Sequence, residues 1–312
     1  MQKVSFHLRR NLLVTGIIIM FIGIVWLVVS ALFTADEQAV AEPSEMINYI
    51  EKINQFVLQG FNEKQQLVHF VEADKYYNFK DEPALLLNPK VITYDVKGEE
   101  VYTLSSKRAH YLDDGRVQFN GKVNINSKSG VVYQINAKEL SVNTKTNDLM
   151  SDKQIVYLDK TAKVIAQGMR TKAAEDKMYL TGKTTINQDR GQTIVTRDLL
   201  IDQTQSKKRY YSKHKTSYLA SGNKIDAQGL DMDMNKDIAI LLGKVKILQK
   251  SGAKIETKRL VIDQSQGRDI YRTKEKVHYQ FNMSDIRAKK GMHYDVQDQK
   301  IRLTGGVVGR YE

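Results

Sequence analysis

The fold is decided by residues 116–126, which read RVQFNGKVNIN. Apolar and polar side chains alternate on both sides of the central Gly121. This period of two predicts a β-strand with one dry face and one face in water. The pattern occurs four times, as Val117, Phe119, Gly121, Val123, Ile125; Met178, Leu180, Gly182, Thr184, Ile186; Ala239, Leu241, Gly243, Val245, Ile247; and Ile301, Leu303, Gly305, Val307, Gly309. The central glycines lie 61, 61 and 62 residues apart, so the chain repeats one supersecondary unit along an axis.

Two further elements recur between these glycine strands. One places apolar residues at spacings of two, three and two, and the extra residue predicts a β-bulge. Its copies are Ile135, Ala137, Leu140, Val142; Ile194, Thr196, Leu199, Ile201; and Ile255, Thr257, Leu260, Ile262. The other element reads AQG at residues 166–168 and again at 227–229, and its small residues indicate positions where the sheet bends.

These patterns predict an all-β fold, an elongated antiparallel β-jellyroll that forms a V-shaped open sandwich over an apolar interior. Residues 90–312 contain no proline, which suits paired strands because proline removes a hydrogen bond from the ladder. A β-propeller is the alternative, since four repeats can close a ring. Its blades would be long, however, and the sequence contains no recognisable blade motif.

The N-terminal segment contains 22 uncharged residues, from Leu12 to Phe33. A helix of that length spans roughly 33 Å, enough for a bilayer core of about 30 Å. Basic residues precede the segment and acidic residues follow it, so the positive-inside rule places the N-terminus in the cytoplasm. We therefore predict a cytoplasmic tail over 1–11 and one transmembrane helix over 12–34. A signal peptide cleaved after AVA at 39–41 is the alternative. Two small residues on one face of the helix would allow another helix to approach closely: Gly16 and Gly23.

Residues 35–60 are predicted to be a linker. Within it, residues 43–56 have apolar residues at helical spacing and Ser44 as a candidate cap, which predicts a short helix, with an extended segment as the alternative. The β domain then divides into 61–190 and 191–312, and the second part continues the same sheet.

The composition and motifs argue against catalysis. The chain has no cysteine, and its net charge of +12 comes largely from Lys and Arg that alternate along strands, as on a solvated outer face. GKT at 182–184 lacks the preceding glycine of a P-loop, and residues 231–242 lack the glycine and glutamate of a calcium loop. The six histidines have neither metal-ligand nor triad spacing. We predict a protein that is not an enzyme and has no catalytic residues, no metal site, no cofactor and no nucleic-acid partner.

Several segments resemble the LptC family, the inner-membrane-anchored periplasmic component of lipopolysaccharide export. The matching segments are VEADKYY at 71–77, PKVITYD at 89–95, VYTLSSK at 101–107 and QFNGKV at 118–123. The resemblance covers roughly residues 8–190. Beyond it, segments such as LLGKV at 241–245 resemble LptA, the soluble bridge protein of the same system. The C-terminal repeats are therefore identified as additional LptA/OstA-like units.

The resemblance implies a single-pass protein of the inner membrane of a Gram-negative bacterium, with its bulk in the periplasm. Such a protein binds lipopolysaccharide and passes it from an ABC transporter, with two permease subunits and an ATPase dimer, to the periplasmic bridge protein LptA. Exposing a 12-carbon acyl chain to water costs about 9 kcal/mol, so an apolar groove would make the crossing possible. The residues expected to face this lipid groove are Phe119, Val123, Ile125, Leu140, Gly168, Leu180, Ile186, Leu241, Val245 and Ile247.

Open sheet edges are expected to dock the partners, because an unpaired strand can add to another sheet. The last glycine strand is expected to bind the bridge protein, and the strand at 68–79 to bind the transporter. The edge residues are Val71, Ala73, Tyr76, Ile301, Leu303, Val307 and Tyr311. Two alternatives stay open from the residues alone: a closed core with no room for a ligand, and a membrane-anchored scaffold that links transporter and bridge without holding lipid. A surface solenoid that binds or hydrolyses polysaccharide ranks last, because it would need an exposed aromatic ladder or a carboxylate pair and the outward residues are mostly Lys, Asn, Gln, Asp and Thr.

Overall fold

The computed structural model describes residues 49–128, 133–172, 175–204 and 207–311. Over these ranges the chain forms β-strands and contains no α-helix. The first strands are β1 (Tyr49–Phe61), β2 (Leu67–Phe79), β3 (Ala84–Leu87), β4 (Lys90–Tyr94), β5 (Glu100–Ser105), β6 (Arg108–Tyr111), β7 (Arg116–Ser127), β8 (Tyr133–Asn143), β9 (Leu149–Ser151), β10 (Ile155–Asp159), β11 (Ala162–Lys172), β12 (Lys177–Gln188) and β13 (Thr193–Asp202). The following strands are β14 (Arg209–Ser212), β15 (Thr216–Ala220), β16 (Asn223–Ala227), β17 (Gly229–Asp233), β18 (Ile238–Leu242), β19 (Val245–Leu248), β20 (Lys254–Thr257), β21 (Leu260–Asp263), β22 (Ile270–Thr273), β23 (Val277–Phe281), β24 (Ser284–Ala288), β25 (Gly291–Asp295), β26 (Lys300–Thr304) and β27 (Val308–Tyr311).

The strands pair antiparallel in two long ladders that enclose one apolar interior. The first ladder, sheet A, has the order β1-β2-β4-β5-β7-β8-β10-β11-β12-β13-β15-β16-β19-β20-β23-β24-β27. The second, sheet B, has the order β1-β2-β3-β6-β7-β8-β9-β11-β12-β13-β14-β17-β18-β21-β22-β25-β26. The long strands shared by both ladders bend from one sheet into the other. This arrangement is jellyroll-like and confirms the predicted all-β antiparallel fold.

The bends lie in line along one side of the molecule, which we call the spine. At the spine Gly182 has φ +73°, and a Cβ there would lie 2.1 Å from Oε1 of Gln167. That oxygen accepts a hydrogen bond of 3.0 Å from the backbone N–H of Lys183. Gln228 accepts from the backbone N–H of Lys244 in the same way, at 3.1 Å, beside Gly243. The repeated AQG element and the repeated glycine strand therefore form the bend together, since the glutamine of one accepts a hydrogen bond from the backbone of the other.

The predicted bulge occurs at the spine, but the extra residue belongs to the glycine strand. Between β7 and β8 the pairing shifts from Asn120 with Glu139 to Val123 with Ala137, so β7 carries the additional residue. The same shift occurs between β12 and β13. In the C-terminal units the strands stop at the bend instead, so that β18 and β19 are separate strands on either side of Gly243.

The side opposite the spine is here called the mouth. There the described strands turn back within their own sheet, and the two sheets meet only through side-chain and backbone contacts. The mouth is bordered in sheet A by the turns at 159–161, 189–191 and 221–222, and in sheet B by residues 207–208, 236–237 and 264–269. An amphipathic ligand lying lengthwise in the interior would have to reach solvent through this side.

The segment before the predicted jellyroll differs from expectation. Tyr49–Phe61 forms strand β1 and pairs along its length with β2, whereas a linker with a short helix over 43–56 was predicted. The pairing partner decides the outcome, since hydrogen bonds to β2 override a weak helical spacing. The predicted tail, the helix over 12–34, Gly16 and Gly23 lie outside the described residues. Among the residues that are described, no helix is long and apolar enough to cross a bilayer.

The sheet edges also differ in part from expectation. The expected docking edge at 68–79 is wrong: strand β2, with Val71, Ala73 and Tyr76, is not an open edge, because β1 covers one side and β3 and β4 cover the other. In the described part of the chain, the edge at this end is β1, which exposes apolar side chains such as Ile50 and Val57. The edge at the far end is formed by β26 and β27.

Candidate functional site

The interior opens into an apolar cavity of about 610 Å³ at the end of the jellyroll that begins with β1. Sheet A contributes Val91 from β4 and Leu104 from β5 to its wall, and sheet B contributes Ala109 from β6 and Phe119 from β7. These side chains point inward because period-two alternation puts every second residue of each strand on the interior face. The volume lies within the range of small-molecule sites in proteins, about 300–1,000 Å³.

Strand β1 supplies one wall of the cavity. Ile53, Phe56 and Leu58 line it, and the Phe56 ring stacks on Tyr76 with centroids 4.8 Å apart and an interplanar angle of 15°. Such an aromatic pair contributes about 0.5–1.5 kcal/mol beyond its buried area. The strand that the sequence pattern assigned to a linker therefore completes the site.

Two titratable side chains that line the cavity, His69 and Tyr102, are uncharged at neutral pH. Burial lowers the pKa of His69, which favours the neutral imidazole. Burial also raises the pKa of Tyr102, so its phenol stays protonated. A chamber of this kind favours alkyl chains, since each CH₂ removed from water contributes about 0.8 kcal/mol.

Only part of the predicted groove set lies at this cavity. Phe119 lines it, and so do Val71 and Tyr76, which were expected at a sheet edge. The predicted residues buried elsewhere in the continuous core, each 0–2% exposed, are Val123, Ile125, Leu140, Leu180, Ile186, Leu241, Val245 and Ile247. Gly168 is at the spine, where a Cβ would lie 2.7 Å from the carbonyl oxygen of Ser151.

The middle of the jellyroll is crossed by a buried ion pair. Asp159, at the mouth of sheet A, lies 2.7 Å from Nζ of Lys208, at the mouth of sheet B, and their side chains are 1% and 9% exposed. The Asp159 carboxylate also accepts hydrogen bonds from the Tyr210 hydroxyl, at 2.8 Å, and from the backbone N–H of Thr161, at 2.8 Å. We call this contact the first tie.

The environment keeps the Asp159 carboxylate ionised. Burial acts to raise its pKa, but the hydrogen bonds from Lys208 and from the Thr161 N–H outweigh burial and hold the pKa below its ordinary value of 3.8. Beneath the tie, Tyr157 of sheet A and Tyr210 of sheet B are wholly buried and fill the interior. Burial is the largest cause of the raised pKa of both phenols.

A second tie lies one repeat further along. The Ser221 hydroxyl of sheet A donates to the Asp269 carboxylate of sheet B at 2.7 Å, and Gln264 Nε2 donates to the same carboxylate at 2.6 Å. Tyr218 and Tyr271 are wholly buried beneath it, 61 residues after Tyr157 and Tyr210 respectively. The tyrosine pair therefore repeats with the unit, while the polar groups that join the sheets change.

Between the two ties, Arg190 adds a third contact across the mouth. Its guanidinium donates to the carbonyl oxygen of Gln264 and to the Asp237 carboxylate, each at 3.1 Å. Sequence reasoning missed all three contacts, because their members lie far apart in the chain and each looks like an ordinary polar turn residue. The 61-residue recurrence of tyrosine was the one available signal.

Two ladders around an apolar interior, with a cavity at one end, define a β-jellyroll protein of the kind that can shelter apolar ligands. The family model described as lipopolysaccharide-assembly, LptC-related, matches residues 17–184, more than half of the chain. The chain belongs to this family. A second model, described as LptA/(LptD N-terminal domain) LPS transport protein, matches residues 224–310. Among curated proteins, none matches the chain significantly.

These matches confirm the resemblance derived from the sequence, including the LptA-like character of the C-terminal repeats. They place the protein among those involved in lipopolysaccharide transport. Both families consist of transport proteins rather than enzymes.

Proposed function

We propose that this protein holds lipopolysaccharide by its acyl chains in the jellyroll interior and passes it from an inner-membrane ABC transporter to the periplasmic bridge. The observation that carries the proposal is the apolar cavity of about 610 Å³ at the β1 end. The segment 12–34 serves as the membrane anchor, and Gly16 and Gly23 pack against the membrane helices of the transporter. The bulk of the chain lies in the periplasm.

The open edges support the assignment of partners. Strand β1 replaces β2 as the docking edge for the transporter, because within the described ranges β1 is the edge strand beside the cavity. Ile301, Leu303, Val307 and Tyr311, on or next to β26 and β27, form the edge for the bridge protein LptA, and Tyr311 is largely exposed. Deleting residues 301–312 should abolish binding of the bridge protein and leave transporter binding intact, which co-purification measures. Loss of both partners would contradict this division.

Site-specific photo-crosslinking tests lipid binding. A photoreactive amino acid at Phe119 should capture lipopolysaccharide during transport, because this side chain lines the cavity. The matched control is the neighbouring Gln118, whose side chain lies on the opposite face of β7 and donates to Glu139 at 2.8 Å. Equal labelling at both positions, or none at Phe119, would refute binding in the interior.

A scaffold that links transporter and bridge without holding lipid is the second candidate. The filled interior beneath the ties favours it, since Tyr157 and Tyr210 are wholly buried. In that case, Phe119 would remain unlabelled while both partners still bind.

A further inference from the structure

We propose that the Asp159–Lys208 tie is a gate: lipid in the β1-end cavity advances along the jellyroll only when this contact opens. The inference rests on the proposed function and adds a regulated step to it. It concerns one type of ligand, an amphiphile whose apolar tails lie inside the jellyroll and whose polar head stays in water.

In such a ligand, the link between the polar head and the apolar tails has to pass through the mouth. The tails gain free energy from burial, whereas burying the polar head would strand its hydrogen-bonding groups. The head must therefore stay outside, and the link between head and tails crosses the mouth. A contact that joins sheet A to sheet B across the mouth blocks any movement of that link along the axis.

The first tie is placed to act on a ligand in the cavity. Sheet A runs from β4 and β5, which line the cavity, through β7 and β8 to β10, which ends at Asp159. Sheet B reaches Lys208, next to β14, by way of β8, β9, β11, β12 and β13. A ligand that moves from the β1 end toward the LptA-like repeats meets this pair first among the three mouth contacts described above.

The Asp159 carboxylate is buried only while the tie is closed, so opening the mouth gives it water in place of Lys208 and does not leave it stranded. Asp159 Oδ1 accepts from the backbone N–H groups of Thr161, at 2.8 Å, and Ala162, at 3.0 Å, both in its own turn. These bonds stay within sheet A when the sheets separate. Lys208 lies at the mouth, and its ammonium group can exchange the carboxylate for water. When the contact opens, the Asp159 carboxylate and the Lys208 ammonium group are therefore each solvated or hydrogen-bonded.

The filled interior beneath the tie supports the same conclusion. Tyr157 and Tyr210 approach from opposite sheets, and Tyr210 donates to Asp159 itself. Tails can enter this section only if the two rings separate, and separating the rings breaks the Tyr210–Asp159 hydrogen bond. Opening the mouth and making room in the interior are therefore one movement.

The test locks the gate reversibly. The chain has no cysteine, so the pair Asp159→Cys and Lys208→Cys can be joined by a short bis-methanethiosulfonate and released with a reductant. Membrane vesicles contain the full chain with the transporter and lipopolysaccharide, and transport is driven by ATP. Diazirine amino acids report lipid at Phe119, in the cavity, and at Leu241, in β18 beyond the first tie.

The matched control joins two strands of sheet B without crossing the mouth. Arg209 in β14 pairs with Asp233 in β17, and its guanidinium forms a diagonal ion pair of 2.5 Å with Asp231 of the same strand on the outer face. Arg209→Cys with Asp231→Cys, joined by the same reagent, keeps the same region cross-linked and leaves the gate free.

We expect the locked protein to retain labelling at Phe119 and to show at least tenfold less labelling at Leu241. Releasing the cross-link with the reductant should restore labelling at Leu241 fully. The control pair should leave both positions unchanged. Undiminished labelling at Leu241 in the locked protein would overturn the gate. Labelling at Phe119 but never at Leu241, even in the unlocked protein, would also overturn it and leave lipid binding standing. Absence of labelling at Phe119 in the unlocked protein would remove the proposed function together with the gate.

Discussion

The β1 end and the middle of one repeating design differ in what occupies the interior. At the β1 end the sheets stand apart around about 610 Å³, whereas near β10 and β14 tyrosines from both sheets meet. The pairing register explains the difference. Val91 pairs with Leu104, which pairs with Ile125 of the first glycine strand, as Tyr157 pairs with Val164, which pairs with Ile186 of the second. Where the later unit has Tyr157, the first unit has Val91, and this smaller side chain lines the open chamber.

The facing sheet shows a similar difference, with a smaller side chain in the earlier unit and a tyrosine in the later one. Leu149 pairs with Val142 in β8 as Tyr210 pairs with Ile201 in β13. One unit therefore has Val91 and Leu149 at these two positions, and the next has two tyrosines. The comparison teaches that side-chain size at two positions, rather than strand topology, decides whether a section holds a cavity or a packed core.

Removing the lysine of the first tie should have the largest effect. Lys208→Met leaves the buried Asp159 carboxylate without its cation, which typically costs about 3–5 kcal/mol. Urea unfolding of the full chain measures the loss. Adding Asp159→Asn to the same chain removes the uncompensated charge and should recover most of it. A double variant as unstable as the single one would contradict the assignment of the loss to a stranded charge.

Truncating matched leucines should distinguish the two regions next. Leu180 and Leu104 are both 1% exposed, but only Leu104 lines the cavity. Leu180→Ala should cost about 2–5 kcal/mol because it opens a void in a packed section. Leu104→Ala enlarges an existing cavity and should cost about 2 kcal/mol or less, measured by the same unfolding experiment. Equal losses would show that the cavity wall is packed as tightly as the core.

Filling the chamber should change binding more than stability. Val91→Tyr gives the first unit the side chain of the later ones, and we expect a stability change of no more than about 1 kcal/mol because the space exists. Lipopolysaccharide labelling at Phe119 should fall at least tenfold. Val91→Ile, which adds a single methylene group, is the control. Unchanged labelling in the tyrosine variant would place the lipid elsewhere.

Acidification should give the smallest effect. The pKa of Asp159 is lowered in the folded chain, because the Lys208 and Thr161 hydrogen bonds outweigh burial. Its contribution to stability is therefore complete above the unfolded pKa, about 3.9, and is lost as the pH falls through the folded value. The stability difference between the wild-type chain and Asp159→Asn should stay constant from pH 7 to about 5 and shrink below pH 4. A difference that shrinks already near pH 6 would point to another group.

Period-two alternation was sufficient to predict the interior face. It placed Phe119 and Leu241 inside, and both are buried. It also located the bends, since only a residue without a Cβ fits at Gly182. These features depend on local sequence, so a single strand contains the necessary information.

The cavity and the ties depend on residues that meet only in the folded chain. Asp159 and Lys208 come from different sheets, and in the sequence each is an unremarkable charged residue next to a turn. Strand β1 was predicted wrongly for a related reason. Its apolar residues, among them Ile50 and Ile53, also fit a helical spacing, and only the pairing with β2 selects the strand.

The 61-residue period fixes the reach of the molecule in discrete steps. From β12 to β19, sheet A advances through β13, β15 and β16, so each duplication adds four strand spacings, roughly 19 Å at about 4.8 Å per strand. A chain with this design cannot lengthen gradually, because a partial unit would put the apolar face outward or leave a bend without its glutamine. The length of such a jellyroll therefore changes by whole duplications of the gene segment.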